Sequence, residues 1–180
     1  MAQNNIPNTK TYAIVIGIAK YQNSTIPILS YADKDASLFT DWLKSSKENN
    51  LEEDNLKLFL NQEATISNIY TSFNWLKSKV AENDIVYIYF SGHGDIETDK
   101  NISKGYLLAW NSPSNNYINN AIAVADLNEL ANTLTTVNKA KVILITDACH
   151  SGKMAGDFYK GRELTANNLR LVLNNQVRLA

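Results

Sequence analysis

The chain has 180 residues, enough for one domain with a proper core, and 44% hydrophobic against 19% charged residues makes it globular, not disordered. A formal net charge of −1 gives no global electrostatic case for nucleic acid or an anionic membrane surface, and no run approaches the ~20 apolar residues that span a bilayer. The single cysteine excludes an internal disulfide framework.

Met1 to Lys10 is polar and asparagine-rich, without the basic start or apolar stretch of a signal peptide, and reads as a disordered or extended N-terminus over residues 1–10. With one cysteine, which fits a reducing compartment, this makes the cytoplasm the expected location. Tyr12-Ala13-Ile14-Val15-Ile16-Gly17-Ile18 is a continuous apolar run rich in β-branched residues, as a strand buried on both faces requires. Behind a turn-prone Ser30-Tyr31 entry, Ala36, Phe39, Trp42 and Leu43 recur at helical spacing, which predicts a helix from Asp33 to Leu43. Leu56 to Leu60 is a shorter strand. Thr65 then caps the clearest helical pattern in the chain, Ile66, Ile69, Tyr70, Phe73, Leu76 and Val80.

Ile85 to Phe90 predicts the third strand, and Gly105 to Trp110 a small excursion. Asp126 with Glu129 three residues on has the form of a capping box for a helix bearing Leu127, Leu130, Leu134 and Val137. Lys141 to Thr146 predicts the fourth strand. The stretch from Lys153 to Asn175 is polar and dotted with basic residues, and Leu164, Leu169, Leu171 and Leu173 give it a short helical pattern, so a loop followed by a helix is expected. Asn174-Asn175-Gln176 is a turn signal, after which Val177-Arg178-Leu179-Ala180 begins an alternating pattern, the start of a fifth strand that is cut. Strands that alternate with helices, each strand nearly all apolar, predict an α/β fold with a mostly parallel central sheet and helices on both faces.

Two of these strands run into small polar segments: Ile85 to Phe90 into Ser91-Gly92-His93-Gly94, and Val142 to Ile145 into Thr146-Asp147-Ala148-Cys149-His150-Ser151-Gly152. In an open parallel sheet the carboxyl ends of the strands share one edge, and ligands bind just outside it. A histidine at one strand end and the only cysteine at another suggest a nucleophile and its base. A thiol attacks only as thiolate, with an unperturbed pKa near ~8.5, so a neighbouring imidazole must help ionise it. Gly92 and Gly94 flank His93, as a sharp turn and close substrate approach require. The bland alternative is a buried filler cysteine and a satisfied turn histidine. His150 as the base, and a zinc site of His93, Asp147, Cys149 and His150, are further alternatives; strand alternation disfavours the first and ligand spacing the second.

Histidine first and cysteine 56 residues later (149 − 93) is the caspase order. On Ser91-Gly92-His93-Gly94 and Asp147-Ala148-Cys149-His150-Ser151-Gly152 the chain resembles the caspase-like cysteine peptidases, in their metacaspase or prokaryotic form, from Tyr12 to about its last residues. The resemblance implies a three-layer α/β sandwich whose catalytic domain here covers residues 11–180 as the large-subunit portion, with the remaining strands and much of the substrate groove supplied by a small-subunit segment, expected as a second chain. It implies His93 and Cys149 as catalytic residues and the backbone amides of Gly94 and Cys149 as the oxyanion donors.

The resemblance further places Asp35, Ser91 and Asp147 in the substrate-binding pocket, where metacaspases carry the aspartate two before the cysteine and animal caspases a glutamine. Two carboxylates and a hydroxyl attract a guanidinium or ammonium, which predicts a protein or peptide substrate with Arg or Lys before the scissile bond. No arginine stands between Tyr12 and Lys57 to serve an acidic substrate residue. Alone, Asp35 also fits a solvated first-turn helix residue. Lys153, Lys160, Arg162, Arg170 and Arg178 follow the nucleophile where family members are cut, so self-processing is expected; ordinary surface charge is the alternative.

The thiol chemistry requires no cofactor and no metal. Some metacaspases use calcium; Asp95, Glu97, Asp99, Asp126 and Asp157 are candidate oxygen ligands without ordered loop spacing, and calcium dependence stays open. The leading expectation is a cytoplasmic cysteine endopeptidase acting in bacterial stress, cell death or defence, with no nucleic-acid or membrane partner. A non-catalytic caspase-like regulatory module is the alternative. A nucleotide-binding domain is disfavoured, because no glycine-rich phosphate loop follows any strand.

Overall fold

The apolar run after Lys10 forms β1 (Thr11–Gly17), buried at every position as a central parallel strand must be. Its side chains alternate between two cores. Tyr12, Ile14 and Ile16 join Ile69, Phe73 and Leu76 of α2 (Ile66–Lys79) and Leu127, Leu130 and Leu134 of α3 (Val124–Thr136). Ala13 and Val15 join Ala36 and Leu43 of α1 (Ala32–Ser45). Each fully buried Ile, Leu or Phe contributes roughly 1.5–3 kcal/mol. Gly17 lets α1 come close: a Cβ there would lie 2.4 Å from Ala36 Cβ and 2.6 Å from the Ala32 carbonyl oxygen. This computed structural model describes residues 9–45, 49, 51–99 and 102–150, with Asp99, Cys149 and His150 described by backbone alone. The loop and helix expected from Lys153 to Asn175, the fifth strand from Val177 and residues 1–8 of the N-terminal segment lie outside the described residues.

The remaining strands are β2 (Leu51–Leu60), β3 (Ile85–Asp99), β4 (Ile102–Leu107), β5 (Ile122–Ala123) and β6 (Lys141–His150). The sheet runs β2-β1-β3-β4-β5, with β6 also paired to β3. Against the expectation of a mostly parallel sheet, it is mixed: β2, β1, β3 and β6 are parallel, whereas β4 pairs antiparallel with β3 and with β5. Two residues separate β3 from β4, too few for the crossover that a parallel return needs.

Most predicted elements form near their predicted bounds, and the differences have local causes. Thr65 caps α2 as expected, its side chain accepting from the Asn68 N–H at 3.2 Å. The capping box at Asp126 does not form. Helix α3 starts earlier, behind Ala123, which has no capping side chain, and Asp126 instead accepts the Tyr70 hydroxyl at 2.5 Å. The excursion at Gly105 to Trp110 is β4 and its exit.

The larger difference concerns the two polar segments. As far as the described residues run, both are extended strand, not turns: β3 continues through Ser91-Gly92-His93-Gly94, and β6 through Thr146 to His150. Backbone partners on the β1 side persist where β1 stops, with Ile18 N–H donating to Ser91 O and Leu108 N–H to His93 O, both at 2.9 Å. No glycine among the described residues has positive φ, so Gly92 and Gly94 are not there for a turn.

Candidate active site

The register between the two long strands pairs Ser91 with Asp147, Gly92 with Ala148, His93 with Cys149 and Gly94 with His150. Adjacent strands lie roughly 4.8 Å apart, so β6 carries the backbone of Cys149 directly beside that of His93. The two amides expected to hold an oxyanion, of Gly94 and Cys149, stand one register step apart. His150 stands against Gly94.

Over this end of the sheet folds the segment after β1. It is tied down by Leu29 N–H on Ala19 O and Gln22 N–H on Trp110 O, each at 2.9 Å. Asn61, in the left-handed region at φ 47°, secures its start: the side-chain oxygen accepts from Ala19 and Lys20 N–H at 2.9 and 3.0 Å, and the amide nitrogen donates to Asp33 at 3.0 Å. An asparagine tolerates that backbone conformation better than most residues.

His93 is 3% exposed and meets this segment twice. Its Nε2 lies 2.8 Å from the Pro27 carbonyl oxygen. A carbonyl only accepts, so Nε2 carries a proton and the neutral ring keeps its lone pair on Nδ1. That Nδ1 is buried and has no hydrogen-bond partner among the described residues. The backbone N–H of His93 donates to the Tyr21 hydroxyl at 2.7 Å, and the two rings lie 5.4 Å apart at 40°. Burial pushes the Tyr21 phenol up from its ordinary pKa, with the His93 amide acting weakly the other way.

Asp35, Ser91 and Asp147 come together around Tyr89. Ser91 is buried in register with Asp147, and Asp35 lies half-buried on α1, which packs on the Tyr89 face of the sheet. Burial raises the Tyr89 phenol, the charges of Asp35 and Asp147 raise it further, and a hydrogen bond from Ser91 opposes them. The Tyr89 ring stacks on Phe39 at 4.6 Å, which fixes α1 over this corner. Among the described residues the ion pairs are Lys10 with Glu52 and Lys139 with Glu82, so neither Asp35 nor Asp147 is neutralised by a cation there.

Three of the five calcium candidates accept hydrogen bonds from tyrosines. Asp95 accepts the Tyr117 hydroxyl at 2.7 Å and Glu97 the Tyr117 N–H at 2.9 Å, while Asp126 is held by Tyr70. The Asp99 side chain and Asp157 lie outside the described residues. Among those residues no group of three or more His, Cys, Asp or Glu side chains is arranged to hold a metal, and no helix is long and apolar enough to cross a membrane.

Sequence reasoning missed Tyr21, Pro27 and Tyr89. Pro27 acts through a carbonyl, which every residue possesses, so no sequence signal marks it. Tyr21 stands four residues beyond the end of β1, and one tyrosine in a loop is a weak signal at best.

The family model for the metacaspase, peptidase C14 domain matches residues 11–157. No curated protein matches the chain. Among solved structures it is similar to the crystal structure of protein GSU0716 from Geobacter sulfurreducens, at 15% identity and a TM-score of 0.60. That match covers 79% of this chain and 52% of the other, so the chain spans about half the length of that protein. At this identity the likeness carries the fold alone. The family match takes in both the β3 and the β6 motif, and over most of its length this chain belongs to the metacaspase family of cysteine peptidases, through its peptidase C14 domain.

Proposed function

We propose that the chain is the His- and Cys-bearing part of a cysteine endopeptidase that cuts after Arg or Lys, within a caspase-like three-layer sandwich. His93 Nδ1 takes the Cys149 thiol proton, and the thiolate attacks the scissile carbonyl carbon. The oxyanion forms against the amides of Gly94 and Cys149. The C–N bond then breaks, the amine leaves with the proton from His93, and an acyl-enzyme remains. Water, deprotonated by His93, hydrolyses the thioester.

The observation that carries this reading is the parallel register of His93 with Cys149, combined with a Pro27 carbonyl that leaves the free lone pair on Nδ1. Preference for a basic residue rests on Asp35, Ser91 and Asp147 gathering at Tyr89 without a cationic partner among the described residues. A guanidinium or ammonium supplies the missing charge through charge-assisted hydrogen bonds. The same preference makes self-cleavage after Lys153, Lys160, Arg162, Arg170 or Arg178 part of the proposal, as are a small-subunit segment that completes the groove and a protein effector as substrate in bacterial stress, cell death or defence.

The test is cleavage of a positional-scanning peptide library by the complete protein, wild type beside Cys149→Ala, with and without calcium. Cysteine-dependent cutting after Arg or Lys is expected. Cutting after Asp overturns the acidic pocket and keeps the peptidase; silence under every condition, or equal cutting by Cys149→Ala, overturns the peptidase.

A further inference from the structure

Gly92 is extended, so its lack of a side chain must serve the space beside it. A Cβ at this position would lie 2.9 Å from the Tyr21 hydroxyl oxygen and 2.9 Å from Phe90 Cζ. Real Cβ atoms do not approach so closely; the glycine opens the notch that the phenol occupies. From that notch the Tyr21 hydroxyl accepts the next residue's N–H, that of His93, at 2.7 Å. The Tyr21 ring, 9% exposed, also packs against the imidazole at 5.4 Å. Pro27, in the same segment, grips the far end of the imidazole at Nε2.

We propose that Tyr21 is a positioning residue for the His93 base: its hydroxyl, seated against Gly92, fixes the His93 backbone while the Pro27 carbonyl fixes the ring, so that Nδ1 points one way. This goes beyond the peptidase reading and rests on its assignment of His93 as base. A buried N–H that loses its acceptor either stays unpaired at a cost or moves to find another. Either response displaces the imidazole. Misplacement of a reacting group by about 1 Å can cost a hundredfold in rate.

Cys149 is the only cysteine in the chain, so alkylation by iodoacetamide reads the thiol and its base without any peptide substrate. The rate of the full chain is measured from pH 5 to 10 for wild type, His93→Ala, Tyr21→Phe and Gly92→Ala, with thermal melts alongside. Wild type is expected to react with an inflection below the ordinary thiol value of about 8.5. His93→Ala should return the inflection to that value. Tyr21→Phe, which keeps the ring and deletes only the hydroxyl, should move it part of the way and lower the rate near neutral pH about tenfold, the size expected of one lost buried hydrogen bond. Gly92→Ala keeps the phenol but evicts it from its notch, and should move the inflection in the same direction; it decides the matter if Tyr21→Phe does not fold. A loss of fold stability alone would lower the melting temperature and leave the inflection of the folded fraction in place. Superimposable wild-type and Tyr21→Phe profiles, with His93→Ala displaced, overturn the role of Tyr21 and leave the base assignment standing. If His93→Ala itself moves nothing, the base assignment falls first and the positioning role with it.

Discussion

At its start, β3 is stitched by the residue before it. The buried carboxylate of Asp84 accepts the Lys10 N–H at 2.9 Å and the Ala81 N–H at 2.8 Å, and its carbonyl accepts the Lys141 N–H at 2.8 Å. One residue thereby ties the entries to β1, β3 and β6. Further along the same strand, at Ser91 to Gly94, the polar atoms are only half spent among the described residues: there Nε2 of His93 is bound and Nδ1 is not, and two carboxylates stand near a buried hydroxyl without a cation. Both regions hold buried polar groups. What differs is residual capacity: Asp84 has donors on both oxygens, whereas the far end keeps a lone pair and negative charge for something to arrive.

This contrast is breakable by mutation. The largest effect is expected at the far end: His93→Ala should lower kcat of the complete protein about a thousandfold, within the range a positioned base supplies, while the melting temperature moves little. A matching loss of stability would make His93 a structural residue. Asp84→Ala should do the reverse, costing about 2–3 kcal/mol by stranding two N–H groups bound to a charge, and lowering the melting temperature by roughly 5–10 °C, with kinetics of the folded protein unchanged. Next comes specificity. Asp35→Asn should reduce kcat/KM on Arg and Lys peptides about tenfold, and Asp147→Asn less, because Asp147 is exposed and its charge is screened by solvent. Equal activity of both variants would remove the acidic pocket from the far end.

The smallest effect probes a third polar pair. Tyr70 is pushed up to about 12 by burial and by its hydrogen bond to Asp126. Its proton is held more tightly in the folded than in the unfolded chain, so the stability it contributes is full below pH 10 and is lost as pH rises towards 12. Tyr70→Phe should cost about 1 kcal/mol at neutral pH and flatten the alkaline fall in denaturant midpoint; an unchanged slope would show that other groups govern it.

How much of this could be read in advance depended on what carried each feature. Two-sided burial announced β1 and the first six residues of β3 through β-branched apolar runs, and α2 announced itself through periodicity and Thr65. The motifs at His93 and Cys149 were equally legible as residues, but not as strand. Their glycines and small polar side chains look like turn chemistry, and the pairing of β3 with β6, which lies far off in sequence, keeps them extended. The start of α3 was misjudged because the Asp126 carboxylate does not cap the helix but accepts from Tyr70, 56 residues away in sequence. Pro27 and Tyr21 were illegible for the same reason: a backbone acceptor and a steric notch are properties of folded neighbours.

The segment between β1 and α1 joins features that have been described separately. Tyr21 and Pro27 hold His93, Asn61 fastens Ala19 and Asp33, and two residues beyond Asp33 stands Asp35. Orientation of the imidazole and the carboxylate of Asp35 therefore travel together on one short stretch of polypeptide. On the proposed peptidase reading, an engineer who transplants residues 18–36 as a cassette would carry turnover and selectivity as one heritable unit, and one who alters the length of that stretch to change selectivity would disturb turnover in the same stroke.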